Sequence, residues 1–219
     1  MRITEPLSGN RNPAPSTGPK DPGRRALVAA GIAAALTGLL SPAPGLAQAD
    51  AKATALIDRM VADLNRIINS GKSESAMIPE FEALFSKYGD VPIIARSALG
   101  VAWRGASARQ RKEYVAAFRT YMARKYGKRF REFIGGKIVV TGTRKTSSGY
   151  LVSSVAYLAG EAPFEVDWQV SDKSGQDKMF NMFIEGISLL ATERTEIGAM
   201  LDKRGGDLDR LIRDLKKAG

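Results

Sequence analysis

The spacing of apolar residues changes at Gly135-Gly136, and this change constrains the fold more than any other feature. Before it, apolar residues recur every three to four positions, which is the period of an amphipathic helix; the stripe from Leu56 to Ile68 is the longest example. After it, apolar and polar residues alternate, as over 164–170, which is the period of a half-buried strand. This order predicts an α+β domain in which helices pack against an antiparallel sheet.

Turn and cap signals divide the two halves into elements. In the helical half we predict a first helix over 52–69, a second with Pro79 near its start, a third over 91–103, and a long fourth that opens with a Ser107–Gln110 capping box, carries Phe130 and stops at Gly135. In the sheet half we predict a meander of four strands over 138–143, 150–158, 164–170 and 179–187, with a hairpin turn at Ser147-Ser148-Gly149. Helices return over 190–203 and 207–217.

Residues 1–49 are typical of a cleaved export signal. Arg24-Arg25 precedes a run of 15 small or apolar residues, and Ala47-Gln48-Ala49 supplies the small residues of a cleavage site. The run is short for a bilayer span, which needs about 20 apolar residues. We expect cleavage after Ala49, a mature domain of residues 50–219 and a periplasmic location. The paired arginines leave export by either the Sec or the Tat route open.

The sequence contains no cysteine and no histidine. Thiol nucleophiles, Ser-His-Asp triads and imidazole metal ligands are therefore excluded. Gly71-Lys72-Ser73 lacks the first glycine of a phosphate-binding loop, because position 66 is arginine, and we interpret it as a helix end. Asp207 and Asp209, at a helix start, are interpreted as cap and helix-dipole partners and not as metal ligands. We expect no enzyme activity, no cofactor and no metal.

The chain is basic, with a net charge of +10. Its most basic stretch, residues 124–131, interleaves aromatic residues with cations, a pattern that nucleic-acid sites share. The aromatic residues fit the apolar side of the fourth helix, and the chain is predicted to be exported, so we expect no nucleic acid. Two interpretations remain open: an ordinary solvated helix face, or a docking surface for a partner or an anionic membrane formed by Lys125, Lys128 and Arg129.

Several short stretches between residues 81 and 217 follow one another in a characteristic order and spacing: Tyr88-Gly89-Asp90-Val91-Pro92, residues 95–100, Trp103-Arg104, residues 106–111, the aromatic residues Tyr114, Phe118 and Tyr121, Val166-Asp167-Trp168, Ile184-Glu185-Gly186-Ile187-Ser188 and residues 206–215. In these stretches the chain resembles the MlaC family of periplasmic lipid carriers, also called the toluene-tolerance auxiliary family. It departs from the family pattern at Asp177, where the family usually has tryptophan, and at Asn181, where it usually has aspartate.

The resemblance implies a curved sheet of about four strands, similar to the nuclear-transport-factor fold, and a helical layer that encloses an apolar cavity with it. It also implies a function: carrying phospholipid between an outer-membrane lipoprotein complex and an inner-membrane ABC transporter, a system that maintains outer-membrane lipid asymmetry. Related carriers are associated with hopanoids, so a hopanoid cargo is an alternative. Two other classes stay open: a small enzyme of the same cone-shaped fold that acts on an apolar substrate, and a structural envelope protein without a ligand.

The predicted strands carry large apolar residues on both faces, most clearly over 179–184. Either helices cover both faces of the sheet, or the core is divided around a ligand cavity. In an enzyme of this fold, Asp167 and Glu185 are the nearest candidates for an ionisable group in the cavity, and we expect both to point outward or to act as packing partners. For a carrier, we predict that the cavity is lined by Leu99, Trp103, Phe118, Met122, Val155, Trp168, Phe183 and Ile187.

Overall fold

The computed structural model describes residues 44–219 and, within them, the side chains of residues 50–129 and 133–219. Residues 1–43, which hold most of the predicted export signal, lie outside the described residues. The α+β class and the antiparallel sheet are confirmed. The helices are α1 (Pro44–Ile68), α2 (Glu74–Tyr88), α3 (Val91–Leu99), α4 (Ala102–Gly105), α5 (Ala108–Gly127), α6 (Leu189–Asp202) and α7 (Leu208–Leu215). The strands are β1 (Lys137–Thr146), β2 (Gly149–Tyr157), β3 (Phe164–Ser171), β4 (Lys178–Ile184) and β5 (Ile187–Ser188).

The first two helices begin earlier than their apolar stripes predicted. α1 starts at Pro44 rather than at residue 52, because the alanine-rich stretch before the stripe also favours helix. α2 starts at Glu74, where the side chain of Ser73 accepts a hydrogen bond from the backbone N–H of Ala76. Pro79 therefore lies inside this helix and not at its start, although proline is most easily accommodated in the first turn.

The next two predicted helices end earlier than expected. Gly100 has a positive φ of 64°, which stops α3 and leaves α4 as a separate turn of helix. The capping box of Ser107 and Gln110 at the start of α5 is confirmed. However, α5 ends at Gly127, and the chain continues as a 3₁₀ segment, Lys128–Phe133, towards the glycine pair.

The sheet is an open antiparallel meander in the order β1-β2-β3-β4-β5. The predicted fourth strand is divided by Glu185 and Gly186, whose positive φ values of 50° and 75° form a tight turn, so that β5 pairs back onto β4. The register shifts within β1 between Val140 and Gly142, and again between β3 and β4 at Gln169. Such bulges bend a sheet and increase its twist.

One face of this sheet packs against α1, and we call it the inner face. It carries Val152, Ser154 and Ala156 of β2 together with Val166, Trp168 and Val170 of β3, all of them buried. On the opposite, outer face, Val155 lies across from Glu165, and Phe183 lies across from Asp167; Val155, Phe183 and Asp167 are half-buried and Glu165 is exposed.

The buried core of the described chain falls into three clusters of apolar residues. The sheet cluster joins α1 to the inner face and contains Ala53, Leu56, Ile57, Met60, Val61, Tyr88, Val152, Ala156, Val166, Trp168 and Val170. The helical cluster joins α3, α5, α6 and α7 and contains Ile94, Ala95, Ala98, Leu99, Ala106, Tyr114, Ala117, Phe118, Tyr121, Met122, Ile197, Leu201, Leu208, Leu211, Ile212 and Leu215. The junction cluster contains Leu64, Ile67, Ile68, Met77, Phe81 and Ala123.

Candidate functional site

The boundary between the sheet cluster and the helical cluster runs through α2 and β4. On α2, Leu84 packs against the sheet cluster, whereas its neighbour Phe85 packs against the helical cluster. On β4, Met179 and Met182 pack against the sheet cluster and Phe180 against the helical cluster. All five side chains are half-buried. This boundary is a seam of large apolar side chains, two of them flexible methionines that adapt to irregular spaces.

Four of the predicted lining residues lie together on the helical side of this seam. Leu99, Phe118 and Met122 belong to the helical cluster, and Trp103 packs against it while remaining partly exposed. The guanidinium of Arg111 stacks over the Trp103 ring at 5.4 Å and donates to the Trp103 carbonyl oxygen, which fixes α4 against α5.

The other four predicted lining residues are not brought together. Trp168 lies in the sheet cluster, on the inner face. Val155 and Phe183 lie on the outer face instead, because the pairing of Val152 with Trp168 places the even-numbered residues of β2 inside. Ile187 is 66% exposed, and it lies on the short strand β5, which pairs with the end of β4 at the edge of the sheet.

Ser154 is a buried polar residue of the inner face that the sequence pattern did not reveal. Its side chain is only 1% exposed. It accepts a hydrogen bond from the indole Nε1 of Trp168 at 2.9 Å and donates one to the carbonyl oxygen of Val166 at 2.6 Å. The alternation in β2 gave no signal for this role, because each of its two faces combines apolar residues with one serine.

A charged network, which we call the α5–α6 clasp, spans the helical layer. Glu193 of α6 is 1% exposed, and its Oε1 accepts hydrogen bonds from Lys125 Nζ at 2.6 Å and from the Tyr126 hydroxyl at 2.5 Å. Lys125 also pairs with Glu196, which in turn accepts a hydrogen bond from the Tyr121 hydroxyl at 2.7 Å. Long side chains of α5 therefore hold α6 in place from a distance.

The clasp shifts the acid–base behaviour of its members. Burial alone would lower the pKa of Lys125, but hydrogen bonds to Glu193 and Glu196 raise it above its ordinary value. Burial would raise the pKa of Glu196, but hydrogen bonds from Lys125 and Tyr121 lower it. Desolvation and the nearby Glu193 raise the pKa of Tyr114, so this phenol stays protonated. At neutral pH the lysine and Glu196 are both charged, and the clasp is an ion-pair network.

Two buried polar atoms beside the clasp make no hydrogen bond among the described residues. They are Oε2 of Glu193 and the hydroxyl oxygen of Tyr114, which is itself fully buried. Leaving a buried polar atom without a partner costs about 1–3 kcal/mol. The helical layer is therefore held by a strong but incompletely satisfied polar network.

The predicted docking residues differ in their surroundings. Lys125 was expected to be exposed, but only 24% of its side chain is, because it is engaged in the clasp. Lys128 and Arg129 are exposed, which fits a docking surface and an ordinary solvated face equally, and Lys128 also donates a hydrogen bond to the backbone carbonyl of Gly219 at 2.7 Å. Reversing the charge of Lys125 would therefore disturb the fold as well as any docking.

Two open grooves lie elsewhere on the surface. One, of about 290 Å³, is lined by residues of α2, α3, α5 and the β3–β4 turn, including Arg119 and Lys178. The other, of about 510 Å³, lies beside the β1–β2 hairpin and includes Lys52 and Asp172. Both are polar in part, and neither contains a residue that the sequence analysis predicted as cavity lining.

Three of the four acidic residues singled out from the sequence, Glu185, Asp207 and Asp209, have structural partners, and the fourth, Asp167, lies half-buried on the outer face. Glu185, at the turn after β4, accepts a hydrogen bond from the backbone N–H of Glu165 at 2.5 Å. Asp207 caps α7 as predicted, and Asp209 accepts hydrogen bonds from Arg109 and Gln110 of α5. In the part of the chain that the structure describes, no three or more acidic side chains group as metal ligands would.

Comparison with known proteins decides the family. The family model described as MlaC protein matches residues 56–217, which is most of the chain. The chain belongs to the MlaC family. Proteins of this family are periplasmic. Of the described helices, none combines the length and apolar character that crossing a bilayer requires.

A solved structure extends the comparison to the fold. The chain is similar to a phospholipid-binding protein from Ralstonia solanacearum, whose structure was determined in complex with a phospholipid. The TM-score is 0.64 at 20% sequence identity, and the match covers 76% of this chain and 96% of the other. At this identity the likeness establishes a shared fold, and the MlaC architecture is therefore confirmed by sequence and by structure.

Proposed function

We propose that this MlaC-family protein is a periplasmic lipid carrier that holds the acyl chains of a phospholipid at the seam between the sheet cluster and the helical cluster. The observation that carries the proposal is the division of the buried core along this seam. A division of the core is what a cavity between sheet and helical layer requires, and the similar Ralstonia protein binds a phospholipid.

The energetics of the cargo explain why the seam must be apolar. A diacyl lipid has roughly 30 methylenes, and leaving them in water would cost on the order of 20–25 kcal/mol at about 0.8 kcal/mol per methylene. A carrier must therefore enclose the acyl chains, whereas the headgroup can stay in water. The proposed lining consists of Leu84, Phe85, Met179, Phe180 and Met182 at the seam, Leu99, Trp103, Phe118 and Met122 on its helical side, and Trp168 on its sheet side.

Three of the lining residues predicted from the sequence are not part of this proposed lining. Val155 and Phe183 lie on the outer face of the sheet, and Ile187 is largely exposed. They would contact the acyl chains only after a rearrangement of the sheet, whereas the seam residues already pack on both sides of the proposed site.

The proposed role is binding and transfer without chemistry. The full sequence has neither histidine nor cysteine, and the seam residues are apolar. The carrier would be the soluble component of an ABC-type system, receiving lipid at one membrane and delivering it at the other, with an outer-membrane lipoprotein complex and an inner-membrane transporter as partners. Its affinity for lipid must lie between those of the two partners.

Export is part of the same proposal. Cleavage after Ala49 would shorten α1 to residues 50–68 and place Asp50 in its first turn. An acidic residue there interacts favourably with the helix dipole. Intact-mass measurement on protein from the envelope fraction tests this: a species beginning at or near Asp50 is expected, and a full-length membrane-bound species would contradict it.

The decisive experiment is organic extraction of protein purified without detergent, followed by lipid mass spectrometry. We expect stoichiometric lipid, and the spectrum distinguishes a phospholipid from a hopanoid. Finding no bound lipid, and no uptake from labelled vesicles, would exclude the carrier.

A pair of matched variants locates the cargo. Met182→Trp fills the seam and is expected to reduce bound lipid while the protein stays folded. Met60→Trp makes the same change within the sheet cluster, where Met60 is 4% exposed, and is expected to cost about 1–3 kcal/mol by overpacking. Folded Met60→Trp protein should retain its lipid. If Met60→Trp protein lost its lipid while Met182→Trp protein kept it, the lipid would not lie at the seam.

A further inference from the structure

Exposed apolar side chains gather where β1 begins and β2 ends. Of the six large apolar side chains that are exposed in the described chain, three lie here: Ile134 (50%), Val139 (42%) and Tyr157 (39%). Tyr157 is paired with Lys137 across the two strands, and Val139, two residues further along β1, points to the same outer face. Single exposed apolar residues are ordinary, but three in one place indicate a contact surface.

The tight turn before β1 adds Ile134 to this surface. The backbone N–H of Gly136 bonds to the carbonyl oxygen of Phe133 at 2.9 Å, which turns the chain at Ile134. Gly136 lies directly against β2, since a Cβ there would meet the carbonyl oxygen of Tyr157 at 2.7 Å. Ile134 therefore stands at the end of the sheet, beside Tyr157.

Two cationic side chains, Lys137 and Arg129, belong to the same region as these exposed apolar residues. Lys137 Nζ lies 5.1 Å from the centre of the Tyr157 ring. Arg129 is exposed at the start of the 3₁₀ segment and, at about 2 Å per residue, its backbone lies roughly 10 Å from that of Ile134. Residues 128–137 contain four basic residues and one acidic residue. Two exposed carboxylates come after β2 in the chain, Glu161 in the β2–β3 loop and Glu165 on β3, so the segment that leads into β1 carries the excess of positive charge.

The size and chemistry of this surface fit a bilayer better than a protein. A stable protein interface uses about 20–30 residues on each side, far more than are gathered here. Shallow contact with a bilayer needs only a few apolar residues, a tyrosine at the headgroup level and flanking lysine or arginine side chains. Anionic headgroups would attract the cations, and Ile134 would insert among the acyl chains.

We propose that the tip formed by Ile134, Val139, Tyr157, Lys137 and Arg129 docks the protein on an anionic phospholipid bilayer. The proposal rests on the proposed carrier function, because a lipid carrier has to approach the membranes that supply and receive its cargo. It assigns to the protein itself a contact with the lipid surface, in addition to contacts with protein partners.

Vesicle flotation tests the proposal. Phosphatidylcholine vesicles with and without phosphatidylglycerol are mixed with the full protein at low and high salt, and bound protein is measured. We expect binding to the phosphatidylglycerol vesicles at low salt and its loss at high salt. Ile134→Asp should weaken this binding on the order of tenfold, the effect of losing one buried aliphatic side chain. Arg129→Glu with Lys137→Glu should abolish the preference for anionic vesicles.

Val101→Asp is the matched control, because Val101 is 71% exposed and lies between α3 and α4, outside the tip. It should bind vesicles as the unsubstituted protein does, and all variants should unfold normally. No binding to anionic vesicles, equal binding to both vesicle types, or equal weakening by Val101→Asp would each overturn the proposal. Protein that carries lipid but ignores vesicles would refute only the docking. Protein that binds vesicles but carries no lipid would refute only the carrier function.

Discussion

The sheet half and the helical half of the interior use buried polar groups in different ways. In the sheet half, the hydroxyl of Ser154 both accepts from Trp168 and donates to Val166, so this buried polar side chain is satisfied. In the helical half, Glu193 binds Lys125 and Tyr126 through one oxygen, while its other oxygen and the Tyr114 hydroxyl are left without a described partner.

This difference has a consequence for stability. A satisfied hydrogen bond inside apolar packing fixes the side chains in one conformation. An ion-pair network with unpaired buried atoms is less stable, because the desolvation of those atoms is not compensated by hydrogen bonds. We therefore expect the sheet half to be the rigid part of the protein. The helical half, whose α6 is held by the clasp, is the part expected to move when the seam opens for a lipid.

The largest effect is expected from Trp168→Ala in the sheet half. This change removes a ring that is 96% buried between β3 and α1 and leaves Ser154 without its donor. Large-to-small substitutions of this kind cost about 3–5 kcal/mol. Denaturant unfolding followed by circular dichroism measures the loss. Trp168→Phe keeps a ring and should cost clearly less; equal costs would contradict the packing role of the indole.

A smaller effect is expected from Glu193→Gln in the helical half. The variant keeps the size of the side chain but removes the charge that pairs with Lys125, which retains Glu196 as a partner. We expect a loss of about 1–3 kcal/mol in the free energy of unfolding.

Glu196→Gln is the matched control for this variant. Glu196 is 43% exposed, and removing its charge should cost less than about 1 kcal/mol because water screens the pair. If the Glu196 variant were the less stable of the two, the buried carboxylate would not be the centre of the clasp.

The smallest effect is expected from Asn181→Asp, at the join between the two halves. Asn181 donates from Nδ2 to Gln169 at 3.0 Å, and its Oδ1 accepts from the backbone N–H of Leu190 at the start of α6. Aspartate keeps the second bond and loses the first, but the Gln169 amide can rotate and donate instead. We expect a loss of about 1 kcal/mol or less, measured by thermal unfolding. Asn181→Leu, which loses both bonds, should cost more.

The sequence predicted the class and order of the elements because periodicity is a local property. The Ser107 capping box, the Ser147-Ser148-Gly149 hairpin and the Asp207 cap are confirmed, since a few adjacent residues determine each. The break at Gly100 and the turn at Glu185 were missed because both interrupt continuous apolar runs. There, positive φ angles and tertiary packing override the local pattern.

The candidate site was harder to predict, because it depends on strand register and on distant partners. Val155 was predicted as a lining residue, but it lies on the outer face of β2, and only the pairing with β3 determines which residues of β2 face α1. Lys125 looked like a surface cation because its partners, Glu193 and Glu196, lie 68 and 71 residues away in the sequence. No spacing rule connects residues so far apart.

The two tryptophans of the sequence allow the most direct test of the central claim, that a lipid lies between the two halves. Trp103 packs against the helical cluster and Trp168 belongs to the sheet cluster, so each reports on one side of the seam. The protein is loaded with phospholipid whose acyl chains carry bromine, a short-range quencher, and fluorescence is measured in Trp103→Phe and Trp168→Phe. Lipid without bromine is the control. We expect quenching in both variants, because the tryptophan that remains in each lies on one side of the proposed acyl-chain site. Quenching in neither variant, or in only one of them, would contradict a cargo held at the seam.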